Sequence, residues 1–207
     1  MGKGASLGLG EAGATVYLTA RNARELEATA REITRSGAGR AIAMPCDHRE
    51  DGEVRAVFRR LEAEHGRLDV LVNSVFPGEP PAARFWDMPV AHWDELTTVG
   101  LRSHVVASAL AAPLMIAGGS GLIVFMSSAG SGGVASGAVK AAVDRLAADM
   151  AAELRPHGVA AISLWPATAE LTRSVVAALA ADQNVLERSG RVLSALDLAA
   201  EYGLTVT

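Results

Sequence analysis

Residues Gly121–Pro166 read GLIVFMSSAGSGGVASGAVKAAVDRLAADMAAELRPHGVAAISLWP and decide the fold. Two short apolar runs, Gly121–Ser127 and Val159–Trp165, are typical of strands that are buried on both faces. The segment between them, Gly137–Arg155, repeats apolar residues at helical spacing and carries charged residues on the opposite face. A strand, a helix and a second strand in this order predict a βαβ unit with parallel strands.

The same alternation extends through the rest of the chain. Asn22, with Glu25 three residues later, has the pattern of a helix capping box, and Gly37 is expected to end that helix. Further strands are predicted at Thr15–Ala20, Arg40–Met44, Leu68–Val75 and Arg191–Ala195. Further helices are predicted at 51–66 (capped by Asp47 or Asp51), 92–117 (bent or interrupted at Pro113) and 171–181. We therefore expect one α/β domain over residues 1–207, with a Rossmann-like, doubly wound parallel sheet in a three-layer α/β/α arrangement.

Composition excludes several classes of protein. The 207 residues carry 19 basic and 23 acidic side chains, a net charge of −4, and 50% of them are hydrophobic, which argues against a disordered chain and against a nucleic-acid partner. A single cysteine, Cys46, indicates a reducing, cytoplasmic location. The uncharged stretch Val105–Val139 is interrupted by Pro113 and several glycines, so we expect no membrane-spanning helix and no membrane partner. The histidines lack metal-ligand spacing, and no metal site is predicted.

A glycine pattern, G-x-x-x-G-x-G, lies near the amino end at Gly4–Gly10. Glycines at this spacing allow backbone amides to approach a pyrophosphate at the amino end of a helix, although a flexible glycine-rich terminus would give the same pattern. Residues at predicted strand ends favour a ligand site, because ligands bind at the carboxyl ends of parallel strands. These are Asn73, Ser128 and Pro166, together with Lys140 in the first turn of the helix predicted at Gly137–Arg155.

These motifs, with FWDMPVAHWDELTTVGLRSHV (Phe85–Val105) and LAADMAAELRPHGVAAISLWP (Leu146–Pro166), resemble the short-chain dehydrogenase/reductase family. The resemblance implies an NAD(P)-binding fold and hydride transfer between nicotinamide and the carbonyl or secondary alcohol carbon of a small molecule. It also implies a set of cofactor-binding residues. They are Gly4, Ser6, Gly8 and Gly10 at the phosphates, Asp47 at the adenine, and Arg21, Asn73, Lys140 and Pro166.

Arg21 bears on the choice of cofactor. It follows the strand Thr15–Ala20, and Ala20 stands where NAD-preferring members of the family carry an acidic residue. Arginine pairs with a 2′-phosphate, so NADP(H) is expected rather than NAD(H). Structural alternatives stay open: Arg21 as a solvated arginine at a helix start, Asp47 as a helix cap, and Asn73 as a tie between strands.

The family's chemistry uses a tyrosine, a lysine four residues later and a serine on the preceding strand. Ser128 and Lys140 match the serine and the lysine, but Ser136 stands at the tyrosine position and Gly100 replaces the family's helix asparagine. A serine hydroxyl is too weak an acid to replace a phenol. We keep two hypotheses: an oxidoreductase that uses Ser128 and Lys140, and a non-catalytic homologue in which Lys140 is a surface lysine and Ser128 bonds local backbone.

Three segments are short against the family's pattern: Lys3–Leu7, Ser128–Ser136 and Pro166–Leu171. In one alignment Gly4–Gly10 is the family's glycine motif, and there is no room before Gly4 for the family's first, central strand. In a second alignment, Leu7–Thr15 is the end of the helix that follows the glycine motif. One hypothesis is that segments around the active site have dropped out of the chain, which predicts Cα spacings far above 3.8 Å at the three places. Without the central strand, two inner strands would keep unpaired edges.

The amphipathic helices at Gly137–Arg155 and His92–Ala117 resemble those that build subunit interfaces in the family. The resemblance therefore implies a homodimer or a homotetramer. Packing of the same alanine-rich faces on the protein's own sheet is the alternative.

Overall fold

In the part of the chain that the structure describes, six strands form where β-branched and other apolar residues run together. The computed structural model describes residues 1–36, 38–78, 84–129 and 133–204. The strands are β1 (Thr15–Ala20), β2 (Arg40–Pro45), β3 (Val70–Asn73), β4 (Gly121–Met126), β5 (Val159–Trp165) and β6 (Val192–Ser194). β1 and β5 have the predicted bounds. β3 is shorter than the predicted Leu68–Val75, because its ladder with β4 joins only Val70–Asn73 to Leu122–Phe125.

Eight helices alternate with these strands in the described residues. They are α1 (Gly2–Glu11), α2 (Ala23–Arg35), α3 (Asp51–His65), α4 (Val90–Thr97), α5 (Ser103–Gly118), α6 (Gly133–Leu154), α7 (Ala169–Ala181) and α8 (Ala195–Glu201). The predicted cap of α2 is confirmed, since Oδ1 of Asn22 accepts the amide of Glu25 at 3.3 Å. The predicted cap of α3 is wrong: Glu50 is its N-cap and makes no side-chain cap bond. Gly37, expected to end α2, lies outside the described residues.

The strands form two parallel sheets rather than the single sheet that was predicted. β1 pairs with β2, while β3, β4, β5 and β6 are hydrogen-bonded neighbours in that order. In the larger sheet Val72 stands opposite Val124, which stands opposite Ile162. Within the described residues no ladder joins β1 to β3, so each of these strands has one unpaired edge, as expected for a chain without a central strand.

Helices cover both faces of the sheets, which confirms the three-layer α/β arrangement. On one face α3, α5 and α6 bury apolar residues against the strands, among them Phe58, Met115 and Val143. On the other face α1, α7 and α8 pack on the larger sheet. β4 and β5 are the most deeply buried strands, and their apolar runs lie between the two helical layers.

The helical region between β3 and β4 does not break at Pro113. α4 continues through a π-helical turn at Thr98–Arg102 into α5, which contains Pro113 in its interior. The resulting helix, Val90–Gly118, has 29 residues and contains an 18-residue window with a mean hydropathy of 1.5, so by length and composition it could cross a membrane. The expectation that no such helix would form is therefore wrong. Ala111 and Met115 of this helix are buried in the core against the sheet.

The chain is continuous at two of the three places where breaks were expected. α1 runs through Lys3–Leu7, and the amide of Ala5 donates to the carbonyl oxygen of Met1 at 3.1 Å. Thr168 caps α7, with its Oγ1 accepting the amide of Leu171 at 3.1 Å. The prediction of wide Cα spacings is wrong at both places. Residues 130–132, in the third place, lie outside the described residues.

Candidate functional site

A cavity of about 990 Å³, here called the central cavity, brings together several of the predicted cofactor residues. Its lining includes Ser6, Arg21, Asp47 and Asn73. Arg21, Asp47 and Asn73 stand at or just beyond the carboxyl ends of β1, β2 and β3, respectively, as the ligand-site prediction required. Ser128, Lys140 and Pro166 lie outside the described lining of this cavity.

The glycine motif is a helix-packing surface and not a phosphate-binding loop. Gly4, Gly8 and Gly10 lie inside α1, where the helix itself uses the amides of Gly8 and Gly10, while the amide of Gly4 belongs to the first turn. A Cβ on Gly8 would overlap the carbonyl oxygen of Arg173 and lie 2.9 Å from its carbonyl carbon, and one on Gly4 would overlap the carbonyl oxygen of Ala169. Gly4 and Gly8 let α1 approach the backbone of α7, so the assignment of Gly8 and Gly10 to the cofactor phosphates is wrong, and Gly4 offers a phosphate only its first-turn amide.

The remaining residues of the motif support the same reading. A Cβ on Gly10 would overlap Cγ2 of Ile33 in α2. The Ser6 hydroxyl donates to the carbonyl oxygen of Gly2 at 2.9 Å within α1, although Ser6 also lines the central cavity. The second alignment, in which this segment is helix rather than loop, describes α1 better than the first.

Asp47 is held by a neighbouring arginine. Nε of Arg49 donates to Oδ1 of Asp47 at 3.0 Å and Nη2 donates to Oδ2 at 2.5 Å. This pairing lowers the pKa of the Asp47 carboxyl to about 2, against a smaller opposing effect of burial, and the charge of Arg21 also contributes. Arg21 itself is exposed on the rim of the central cavity. The rim therefore carries two guanidinium groups around one ionised carboxylate.

Asn73 ties β3 to α5. Its Nδ2 donates to the Ser108 hydroxyl at 3.0 Å, and both side chains are buried. This bond gives Asn73 a structural role, although between a strand and a helix and not between two strands. It does not remove the residue from the site, because Asn73 also lines the central cavity.

Lys140 lies in the third turn of α6, because α6 begins at Gly133 and not at the predicted Gly137. Its Nζ donates to the carbonyl oxygen of Met126 at 3.1 Å, at the carboxyl end of β4. The same Nζ lies 4.0 Å from the centroid of the Phe76 ring, a cation–π contact, and Phe76 lines the central cavity. Lys140 is thus a partly buried lysine anchored at the strand ends and not a solvated surface lysine.

The predicted serine follows β4, and the residue at the tyrosine position lies near the start of α6. Ser128 is partly buried two residues beyond β4. Ser136 is buried in the first turn of α6, and its hydroxyl has no hydrogen-bond partner in the described structure. An ammonium group and a hydroxyl can hold a substrate or sugar oxygen, but Ser136 cannot act as the phenol of the family's chemistry.

The ring of Phe76 accounts for a glycine at position 100. Gly100 lies in the π-helical turn, and a Cβ there would come within 2.8 Å of Cε2 of Phe76. The Phe76 ring therefore packs against residue 100 and contacts Lys140, so it lies between two positions of the family's catalytic set. Such π-helical turns are frequent at functional sites.

His104 is a site residue that sequence reasoning missed. It is buried, and its Nε2 lies 2.9 Å from the carbonyl oxygen of Val75, while Nδ1 has no partner in the described structure. Burial lowers its pKa to about 4, and the nearby charge of Lys140 acts in the same direction. A lone histidine four residues before a buried serine, Ser108, in an otherwise apolar helix was the available signal.

Pro166 directly follows β5 and is partly buried. The preceding Trp165 donates from its indole nitrogen to Oδ2 of Asp144 at 3.3 Å, and the Ser163 hydroxyl donates to Oδ1 of the same carboxylate at 2.5 Å. These bonds fix the carboxyl end of β5 against α6. Pro166 therefore begins the connection to α7 from a rigid position.

Comparison with known proteins agrees with this fold. The short chain dehydrogenase family model matches residues 1–183. Dehydrogenase/reductase SDR family member 1 of Mus musculus is 39% identical over 247 residues, covering 99% of this chain and 79% of the relative, and the Homo sapiens protein of that name gives the same figures. The alignment is longer than the 207 residues of this chain, so these relatives contain internal segments with no counterpart here.

Solved structures give the same result. A metagenomic short-chain oxidoreductase in complex with NADP has a TM-score of 0.82 and 33% identity, covering 89% of this chain and 86% of that chain. A 7α-hydroxysteroid dehydrogenase complexed with NADH and 7-oxo glycochenodeoxycholic acid has a TM-score of 0.83 and 23% identity, covering 93% and 87%, and supports the fold alone. The chain belongs to the short-chain dehydrogenase/reductase family and is similar over nearly its whole length to the SDR family member 1 type.

Proposed function

We propose that this chain binds NADP(H) at the carboxyl ends of its strands and transfers a hydride to or from the carbonyl or secondary alcohol carbon of a small molecule. Family membership supports NAD(P)-dependent oxidoreduction in general. The observation that carries the proposal is the central cavity, whose lining includes Arg21, Asp47, Asn73 and Phe76. Through Phe76 this cavity adjoins the Lys140 ammonium group.

The residues present fit a dinucleotide, although not through the glycine motif. α1 begins at Gly2 with no side-chain cap, and Gly2 and Lys3 line the central cavity. The free amides of a helix's first turn attract phosphate groups, so the amino end of α1 fits the pyrophosphate. Lys3, which pairs with Glu32 at 2.7 Å on the surface, adds a positive charge there. Asp47 and the guanidinium of Arg21 fit the adenosine end.

Each side chain then has a defined task. Arg21 would pair with the 2′-phosphate, which supports NADP(H) over NAD(H). Lys140, anchored on Met126, would bind the ribose hydroxyls, and the Ser128 hydroxyl would hold the substrate oxygen. When bound, the cofactor supplies the hydride chemistry, and the protein supplies binding and orientation.

A charge-removal experiment tests the cofactor preference. We expect Arg21→Ala to weaken NADPH binding by about 10- to 100-fold, the value of one charge-assisted contact, and to leave NADH binding nearly unchanged. The measurement is a fluorescence titration with each cofactor. Arg24→Ala is the matched control, because Arg24 is exposed on α2 and lies outside the described lining of the central cavity. Equal losses for NADPH and NADH would contradict the assignment of Arg21.

Ser136 supports a second candidate, a homologue that binds the cofactor but does not turn over. Its buried, unpartnered hydroxyl stands where the family's chemistry needs a phenol. Removing a positioned acid or base costs about 10²–10⁴ in rate. NADPH oxidation assays with small carbonyl compounds separate the two candidates: turnover supports the oxidoreductase, and cofactor binding without turnover supports the binding homologue.

A further inference from the structure

The buried side chain of His104 is linked to Lys140 through two consecutive residues, Val75 and Phe76, which follow β3. Nε2 of His104 lies 2.9 Å from the carbonyl oxygen of Val75. The ring of Phe76, the next residue, has its centroid 4.0 Å from Nζ of Lys140. A series of contacts thus leads from α5 through the segment after β3 to α6.

The hydrogen bond of His104 has a fixed direction. A carbonyl oxygen can only accept, so Nε2 of His104 carries a proton and donates it to Val75. Burial, assisted by the charge of Lys140, lowers the pKa of His104 to about 4, so the imidazole is uncharged at neutral pH. Nδ1 is then the unprotonated nitrogen, and it has no hydrogen-bond partner in the described structure. The single bond to Val75 therefore determines what this imidazole does.

The Phe76 ring is confined by its neighbours. A Cβ at Gly100 would lie 2.8 Å from Cε2 of this ring and 3.3 Å from Cγ1 of Val139, so the ring packs closely over the π-helical turn. The ring also packs against the buried cluster of Leu96, Ala135 and Val139. An ammonium group is attracted to the face of an aromatic ring. The position of this ring therefore influences where the ammonium group of α6 lies.

Lys140 has a second support at the strand ends. Its Nζ donates to the carbonyl oxygen of Met126 at 3.1 Å, and Met126 is paired with Leu164 in the ladder between β4 and β5. Phe76, in contrast, lies in a segment outside any helix or strand. The strand ladder thus fixes one support of the ammonium group, and the hydrogen bond from His104 fixes the segment that carries the other.

We propose that His104 is a positioning residue for Lys140: its bond to the Val75 carbonyl places the Phe76 ring, and the ring places the ammonium group. The consequence for the cofactor rests on the proposed function, in which Lys140 binds ribose hydroxyls. The nicotinamide ribose is the same in NADPH and NADH, so loss of the His104 bond weakens the binding of both cofactors. Arg21 differs, because its loss is expected to affect NADPH alone.

The lysine content of the chain gives a direct measurement of this position. The only lysines in the sequence are Lys3 and Lys140, so protein labelled with carbon-13 lysine gives side-chain signals from two residues. Protons above the face of an aromatic ring are shifted upfield in NMR spectra. We therefore expect the ε-methylene protons of Lys140 upfield of those of Lys3, which pairs with Glu32 on the surface. Phe76→Leu assigns the signal, because removal of the ring brings the two lysine positions together.

Two substitutions of His104 test the hydrogen bond. His104→Leu removes the donor, and we expect it to move the Lys140 signal towards that of Lys3 and to weaken NADPH and NADH binding by about 10-fold each, roughly the value of one hydrogen bond. His104→Gln keeps an amide N–H near the position of Nε2, so we expect it to keep the wild-type signal and to restore the binding of both cofactors.

Ser108→Ala is the matched control. It removes a different buried hydrogen bond of α5, the one that the Ser108 hydroxyl accepts from Nδ2 of Asn73 at 3.0 Å. We expect this variant to leave the Lys140 signal in place, even where it lowers Tm. A signal that moves in His104→Leu but not in Ser108→Ala distinguishes positioning from general loosening of α5.

The proposal is overturned by an unchanged Lys140 signal in His104→Leu, or by an equal shift in Ser108→Ala or His104→Gln. If His104→Leu does not fold, His104→Asn takes its place, because the shorter amide does not reach the Val75 carbonyl. The signals are recorded without cofactor, so this proposal and the proposed function fail separately. The expected shift in a protein that binds neither NADPH nor NADH would support the positioning role of His104 and contradict the proposed function.

Discussion

Gly8→Ala distinguishes a helix-packing glycine from a phosphate-binding one. A Cβ at this position would overlap the Arg173 carbonyl oxygen, a backbone atom of α7 that cannot rotate away. Alanine in a helix ordinarily gains about 0.5–1 kcal/mol over glycine, whereas overpacking costs about 1–3 kcal/mol or more. Because the contact is with backbone, we expect a net loss of about 2 kcal/mol, which lowers Tm by about 4–8 °C.

Gly52→Ala is the matched control for this measurement. Gly52 is in the first turn of α3, and a Cβ built there meets nothing within 4 Å. We expect this variant to gain about 0.5–1 kcal/mol, with Tm rising by about 1–4 °C. Both variants are compared by thermal unfolding and by NADPH titration below their midpoints.

The opposite pattern of Tm and NADPH affinity would contradict the assignment of Gly8 to helix packing. If Gly8→Ala kept the wild-type Tm and lost NADPH affinity, Gly8 would contact the cofactor and α1 would not pack closely on α7. An equal gain in Tm for both variants would show that the backbones of α1 and α7 are farther apart than described.

Two further predictions concern the site. We expect Ser136→Tyr, which places a phenol four residues before Lys140, to raise NADPH-dependent carbonyl reduction by about 10²-fold or more over Ser136→Phe, which adds the ring alone; equal rates would count against this role of position 136. Burial holds the pKa of His104 at about 4, below its ordinary 6.5, so the unfolded chain binds a proton that the folded protein does not as pH falls through this window. We therefore expect the free energy of unfolding of the wild-type protein to fall by about 3 kcal/mol more than that of His104→Gln between pH 6.5 and 4. Urea unfolding at each pH measures this difference. If the unfolding free energies of both proteins changed in parallel with pH, His104 would not be the cause.

Sequence reasoning succeeded where the physical cause is local. The Asn22 cap depends on one hydrogen bond within a turn, and the apolar runs of β1 and β5 specify buried strands wherever they are placed. The family resemblance was confirmed because it used the long continuous segment from Phe85 to Pro166. Cytoplasmic location and self-association stay predictions.

Predictions from the sequence were wrong where the same pattern of residues occurs in two different structures. Glycines four residues apart, such as Gly4 and Gly8, occur in phosphate loops and also on one face of a helix that approaches another backbone, and only the neighbour Arg173 distinguishes the two. Pro113 does not interrupt its helix, and the helix type changes instead at Thr98–Arg102, where Phe76 packs against Gly100. His104 was missed because its significance depends on burial, which spacing does not reveal.

α1 has a consequence for the cooperativity of unfolding. It packs on α7, where Glu11 pairs with Arg173, and on α2, where Gly10 meets Ile33. α7 belongs to the four-stranded half of the molecule and α2 to the two-stranded half, so α1 transmits stability between halves that share no strand ladder in the described structure. Loosening α1 would allow β1, α2 and β2 to open as a separate unit while the larger sheet stays folded. α1 thus couples the melting of the two halves together with α3, whose Phe58 lies in one core cluster with Met115 and Phe125.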